Sequence, residues 1–218
     1  ASVTPFVTPG ASMRTQSSSV LILGIGNLLW ADEGFGVRCV EALNAAWQFG
    51  DEVTVMDGGT QGLYLLPYVT EARRLIVFDA VDYGLEPGAM RLVEDGEVPR
   101  FMGAKKMSLH QTGFQEVLAS AQMLDRLPES MLLIGVQPVE LDDFGGSLRP
   151  VVRDGIEPAV AHAVARLRRW GATVEPRADA VSRLNDLALA IDAYETGRPA
   201  PEVACRHGDL RFVTTGEA

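Results

Sequence analysis

The sequence predicts an α/β protein: a three-layer, mostly parallel, twisted sheet of about five strands with helices on both faces and one antiparallel edge strand. Three observations carry this expectation. The runs VLIL at 20–23 and LIVFDAV at 75–81 are almost unbroken apolar stretches, too short for helices and too apolar for a solvated face, as strands buried on both sides must be. Longer amphipathic stretches follow such runs, as at 34–47 and 156–170. The links between them are short and carry glycine.

Taken in order, residues 1–19 are rich in Ser, Thr and Pro without periodicity, which predicts a mobile tail. Val20–Leu23 opens the sheet, and Gly24, Gly26 and Asn27 permit a sharp turn off its end. Gly34–Trp47 is the first crossover helix. Val53–Met56 is a second strand, closed by a turn at Asp57-Gly58-Gly59-Thr60, and Leu63–Val69 is a short helix interrupted by Pro67. Leu75–Val81 must be central, because Asp79 is its only polar residue. Ala89–Val93, entered through Pro87-Gly88, is the edge strand. A polar loop through Lys105, Lys106 and Ser108 reaches His110, and Gln111 or Thr112 caps a helix running to Leu124. Met131–Val139 is a strand and Ile156–Trp170 a helix. The α/β unit thus spans 20–171. Residues 172–218 form an appendage with an extra helix over 180–194 and a tail containing Cys205 and His207.

The 218 residues carry a net charge of −10, concentrated in the first 150 residues, where 19 acidic side chains face 10 basic ones. An acidic body excludes binding to nucleic-acid backbones and to anionic lipid, and fits a cation or a basic protein partner. Two cysteines far apart, Cys39 and Cys205, give no disulfide framework and point to a reducing compartment. The first 19 residues lack the apolar core of a signal peptide, and nowhere do eighteen apolar residues run together. These features predict a soluble, cytoplasmic monomer.

Three polar residues stand where a packed core has no use for them. Glu33 follows the first strand, Asp79 ends the third, and His110 opens a helix after a long loop. In a right-handed parallel sheet the strand ends collect on one edge, so residues 46 and 31 positions apart can meet there. Two carboxylates and an imidazole suit a borderline divalent ion such as Ni, Zn or Mn, with positions left open for water or substrate. Each has an ordinary alternative. An acid ahead of a helix complements its dipole, and surface histidines near helix starts are common. Asp79 is the hardest to explain that way, since an acid inside LIVFDAV needs a charge, a donor or a metal to offset its desolvation. Asp32 and Asp82 are the neighbours that compete with Glu33 and Asp79. The Asp57-Gly58-Gly59 turn offers backbone N–H groups to a substrate carbonyl, or simply ends a strand. GIGN is half of a dinucleotide fingerprint without its third glycine, which argues against NAD. Cys39 reads as buried and Ser108 lacks a nucleophile elbow.

At these residues the chain resembles the nickel-iron hydrogenase maturation endopeptidases. The matching segments are LGIGNLLWADEGFGVR (23–38), MDGGTQGLYLL (56–66), FDAVD (78–82), PGAMRL (87–92), SLHQTGFQEVL (108–118) and IGVQP (134–138), in the family's order between about residues 20 and 170. Leu109 stands where several relatives carry Pro. The resemblance implies an endopeptidase that removes a C-terminal peptide from the precursor of the hydrogenase large subunit after nickel insertion. It implies that the nickel ligands are Glu33, Asp79 and His110, reading metal already held by the precursor; Zn or Cd would substitute in a crystal. It leaves two mechanisms open. Metal polarises the scissile carbonyl or activates water, or metal contact positions the peptide while Asp79 or Glu33 acts as general base. In both, water is the nucleophile. The competing expectation from another class is a nickel-dependent chaperone or checkpoint protein that binds the same precursor without cutting it.

Overall fold

A computed structural model describes residues 19–102, 109–179 and 183–198; the side chains of 102 and of 109–112 also lie outside the described set. The first half runs β1 (Val20–Ile25), a 3-10 turn (Ala31–Gly34), α1 (Phe35–Ala46), β2 (Trp47–Phe49), β3 (Val53–Gly59), a 3-10 turn (Gly62–Leu65) and α2 (Leu66–Glu71). Then come β4 (Arg74–Ala80), β5 (Met90–Glu94), α3 (Glu97–Met102), α4 (Leu109–Met123) and β6 (Ser130–Val136). The chain continues with α5 (Pro150–Arg153), α6 (Ile156–Arg169), β7 (Val174–Pro176), a 3-10 turn (Leu187–Leu189) and α7 (Ile191–Gly197).

Five strands form one sheet in the order β3-β1-β4-β6-β5. The first four are parallel, and β5 closes the edge antiparallel to β6 with Met90 opposite Val136. The predicted fold class holds, and so does the central place of the LIVFDAV strand between β1 and β6. Side-chain alternation divides the core into two layers. Ile22, Ile76, Phe78 and Ile134 pack with Phe35, Val40 and Leu43 of α1 and Ala163 and Leu167 of α6. On the opposite face Leu23, Leu75, Val77 and Leu133 meet Val69 of α2 and Phe114, Val117 and Leu118 of α4.

Several elements differ from expectation. The second strand does not stop at Met56: β3 runs on to Gly59, with Asp57 opposite Gly24 and Gly59 opposite Ile25 across a register shift that skips Gly58. Pro67 does not interrupt a helix but lies in the first turn of α2, where its missing N–H is not needed. The first helix ends at Ala46, and Trp47–Phe49 pairs with Val174–Pro176 as a small antiparallel ribbon. The expected polar loop before His110 contains α3, whose Val98 is completely buried. Gln111 and Thr112 are not caps: α4 begins at Leu109, before either. Of the helix expected over 180–194, residues 180–182 lie outside the described set, and from 183 on the helix is Ile191–Gly197, preceded by the 3-10 turn that Asp186 caps by accepting from the Ala188 N–H at 2.9 Å. The sequence 183–190 lacks the sustained apolar periodicity that would extend a helix through it. The tail with Cys205 and His207, and the N-terminal segment before Ser19, lie outside the described residues.

Candidate active site at the carboxyl edge of the sheet

The strands β1, β3, β4 and β6 end on the same side of the molecule. From β1 the chain turns through Gly26, whose φ of +137° and close approach leave no room for a side chain: a Cβ there would overlap the Glu33 carbonyl. The loop closes by hydrogen bonds, with Asn27 N–H donating to the Glu33 carbonyl at 3.2 Å and Glu33 N–H donating to the Trp30 carbonyl at 2.8 Å. Glu33 is thereby held on a 3-10 turn that abuts the end of β4, and it is buried.

Asp79 is the penultimate residue of β4 and has no exposure at all. Leu75 and Val77 face α4, so alternation sets Asp79 on that same face, level with Gly135 of β6. The helix α4 follows a crossover between parallel strands and runs back toward their amino ends, which puts its first turn at the carboxyl edge. Gly113 lies there against Gly62, just beyond β3. His110 belongs to that first turn, and its side chain is outside the described residues. Backbone placement therefore brings the element ends bearing Glu33, Asp79 and His110 to one edge.

The neighbouring acids have other work. Asp32 is fully buried and accepts three backbone hydrogen bonds: Val139 and Glu140 N–H donate to Oδ2 at 2.8 and 3.0 Å, and Arg149 N–H donates to Oδ1 at 2.7 Å. It ties down the loop after β6. Asp82 accepts from Gly84 N–H at 2.9 Å and from Gln137 Nε2 at 3.0 Å, while Gln137 Oε1 accepts from Tyr83 and Leu85 N–H at 2.7 and 3.1 Å. Together Asp82 and Gln137 shape the turn after β4.

Asp57 occupies the other side of the sheet. Val53 and Val55 pack against the α1 layer, and Asp57 follows them in alternation. Burial raises its pKa, against the hydrogen bonds from Asn185 and Gly59; Glu41 adds to the rise and Arg38 opposes it. Gly58 is buried and Gly59 takes a φ of +45°, its carbonyl accepting from Gly26 N–H at 3.1 Å. Asp57, Gly58 and Gly59 thus stand beside the first loop, with the Asp57 carboxyl turned toward α1. Cys39 is completely buried in that layer, and desolvation pushes its thiol well above the ordinary value, the opposite of what a nucleophile needs.

Sequence reasoning passed over Tyr83 and Arg38. Tyr83 is 7% exposed, and its hydroxyl crosses Gly135 beside Asp79. The signal for it was Gly135 itself, since a glycine inside an apolar central strand marks a close approach by another group. Arg38 is buried on α1, and no pattern in the sequence reveals its partner, the Leu189 carbonyl 151 residues away.

An open, mostly parallel sheet with buried acids at its carboxyl edge places the chain in the α/β class, whose ligands bind at that edge. A family model described as hydrogenase maturation protease matches residues 37–166. The hydrogenase expression/formation protein HupM of Azotobacter chroococcum mcd 1 is 60% identical over 201 residues, 92% of this chain and 96% of that protein. The hydrogenase 2 maturation protease of Escherichia coli strain K12 is 40% identical over 159 residues, 72% of this chain and 96% of that protein. Among solved structures, the hydrogenase maturating endopeptidase HybD from E. coli aligns with a TM-score of 0.70 and 38% identity, covering 74% of this chain and 99% of that one. The chain belongs to the hydrogenase maturation protease family, and it is a peptidase of hydrogenase processing. No helix among the described residues is long and apolar enough to cross a membrane.

Proposed function

We propose that this protein is the endopeptidase that removes a C-terminal peptide from the precursor of the nickel-iron hydrogenase large subunit after nickel insertion, and that it reads the precursor's nickel through Glu33, Asp79 and His110. The observation that carries the reading is Asp79, a wholly buried carboxylate at the carboxyl end of the central strand, on the face covered by α4. A buried carboxylate at a strand end is favoured by a positive charge brought to it, which a cation carried by the substrate supplies. The donor set fits a borderline divalent ion: one carboxylate from a 3-10 turn, one from a strand end, and an imidazole on a residue of the first turn of α4.

Water is the nucleophile. Cys39 is inert in the core, and a carboxylate at the edge serves as general base: it takes a proton from water as the oxygen adds to the scissile carbonyl, and returns it to the amine nitrogen as the C–N bond breaks. When bound, the precursor's nickel supplies positive charge that holds the peptide in register with that base. The protein acts in the cytoplasm as a monomer, and its charge of −10 favours a basic face on the precursor for docking.

The test is to mix full-length protein with nickel-loaded and nickel-free precursor and weigh the large subunit by mass spectrometry. The expected result is a trimmed subunit only when nickel is present, and none with Asp79→Ala, Glu33→Ala or His110→Ala despite native circular dichroism. A precursor that binds stably yet keeps its C terminus would overturn the reading in favour of a non-cleaving checkpoint protein.

A further inference from the structure

The polar group next to Asp79 that the mechanism leaves unused is the phenol of Tyr83. It is fixed from every side. Its backbone N–H donates to Gln137 Oε1 at 2.7 Å. Its ring lies on Phe101 with centroids 4.9 Å apart, and the Arg91 guanidinium sits 5.7 Å from the Tyr83 ring and 4.6 Å from the Phe101 ring. Its tip lies over Gly135, where a Cβ would overlap the hydroxyl and stand 2.7 Å from Cζ.

Gly135 is the cross-strand partner of Asp79, and both positions face α4. The hydroxyl therefore lies over the strand position that pairs with Asp79, on the face the two positions share. It is buried, and among the described residues it has no hydrogen-bond partner. A phenylalanine would fill the same space without burying a hydroxyl, so the ring's packing does not account for the oxygen. A phenol is protonated at neutral pH and can donate its O–H.

We propose that Tyr83 is a positioning residue for Asp79: when a divalent cation engages one carboxylate oxygen, the Tyr83 hydroxyl donates to the other and fixes the ligand's orientation. The inference rests on the cation-reading role proposed above for Asp79. It deepens that role by giving the ligand an outer partner, of the kind whose loss weakens metal sites without touching a ligand.

The experiment is a calorimetric titration of cadmium into the full chain without precursor, for the wild type, Tyr83→Phe, Asp79→Asn and the exposed-site control Tyr64→Phe. The expected result is cation binding by the wild type and Tyr64→Phe, its loss in Asp79→Asn, and a roughly 10- to 100-fold weaker affinity in Tyr83→Phe at an undiminished melting temperature. Cadmium should also produce a tyrosine difference spectrum in the near ultraviolet that Tyr64→Phe keeps. Equal affinity in wild type and Tyr83→Phe overturns the inference and leaves the metal reading standing. A wild type that binds no cation overturns both. Should Tyr83→Phe fail to fold, a wild-type spectrum that cadmium leaves unperturbed overturns the inference.

Discussion

Asp32 holds Arg149 by its backbone: the Arg149 N–H donates to Asp32 Oδ1 at 2.7 Å across 117 residues of sequence. With the Val139 and Glu140 N–H groups on Oδ2, one side chain satisfies three donors of the loop after β6. That loop borders the first one, where Trp30 and Phe144 form a β-bridge with their rings 5.3 Å apart. Asp32 thus organises the rim beside the turn that carries the adjacent Glu33.

Replacing Asp32 with Ala leaves those N–H groups without their acceptor in a buried site. The expected loss is about 3 kcal/mol or more, given that hydrogen bonds to charged groups contribute about 1.5–3 kcal/mol each. Urea unfolding measures it. A loss under about 1 kcal/mol would show that water replaces the carboxylate without cost.

Much of this was legible in the sequence, for identifiable reasons. A buried parallel strand must be apolar on both faces, so VLIL and LIVFDAV declared themselves, and Asp79 stood out against its own strand. What stayed hidden depends on tertiary partners. Neither the loop-tying task of Asp32 nor the facing of Asp57 toward α1 is encoded locally. The first needs the loop at 139–149, and the second needs a strand continuing through Gly59, where the glycines read locally as a turn. Trp47–Phe49 forms its ribbon only because Val174–Pro176 comes back to it.

Gly26→Ala tests how far the first loop sets the position of Glu33. The added Cβ meets the Glu33 carbonyl at a φ of +137° that an L side chain rarely adopts. Processing is expected to fall at least 100-fold while stability falls by about 1–3 kcal/mol, because the strain is released by moving the 3-10 turn. Rates of precursor cleavage at a temperature where the variant is fully folded check this. Wild-type rates would show that Glu33 need not be held there.

Asp57→Asn is expected to change the pH dependence of stability. Burial raises the Asp57 pKa in the folded protein, so the folded state keeps this proton after the unfolded chain has lost it. The sign follows: below the ordinary carboxylate range the group contributes nothing, and stability declines as pH climbs from there through the raised value. Asparagine has no such decline. The variant should match the wild type near pH 3 and gain on it toward about pH 7 in urea titrations. Curves that run parallel across that range would remove Asp57 from the account.

Arg38 links the segment 183–198 to α1. Its Nη1 donates to the Leu189 carbonyl at 2.6 Å and to Glu41 Oε2 at 2.7 Å, and Asn185 Nδ2 donates to Glu41 Oε1 at 3.0 Å. The same segment is anchored a second time where Ser147 Oγ and Arg153 Nη1 donate to Glu195 Oε1 at 2.7 and 3.0 Å. Arg38→Ala removes the inner tie only. Arg38 is 4% exposed but Glu41 is 22%, so water screens part of the acid left behind, and the loss is expected at about 2 kcal/mol, below the range for a wholly buried pair. Because the outer tie persists, the segment should loosen without leaving: trypsin should cut after Arg183 faster than global unfolding allows, while the core from β1 to α6 stays intact. Arg38→Lys keeps the charge but loses the planar guanidinium and is more strongly hydrated, and should restore less than half of the lost stability. Cleavage after Arg183 at the wild-type rate in Arg38→Ala would mean that the Glu195 contacts alone hold the segment down.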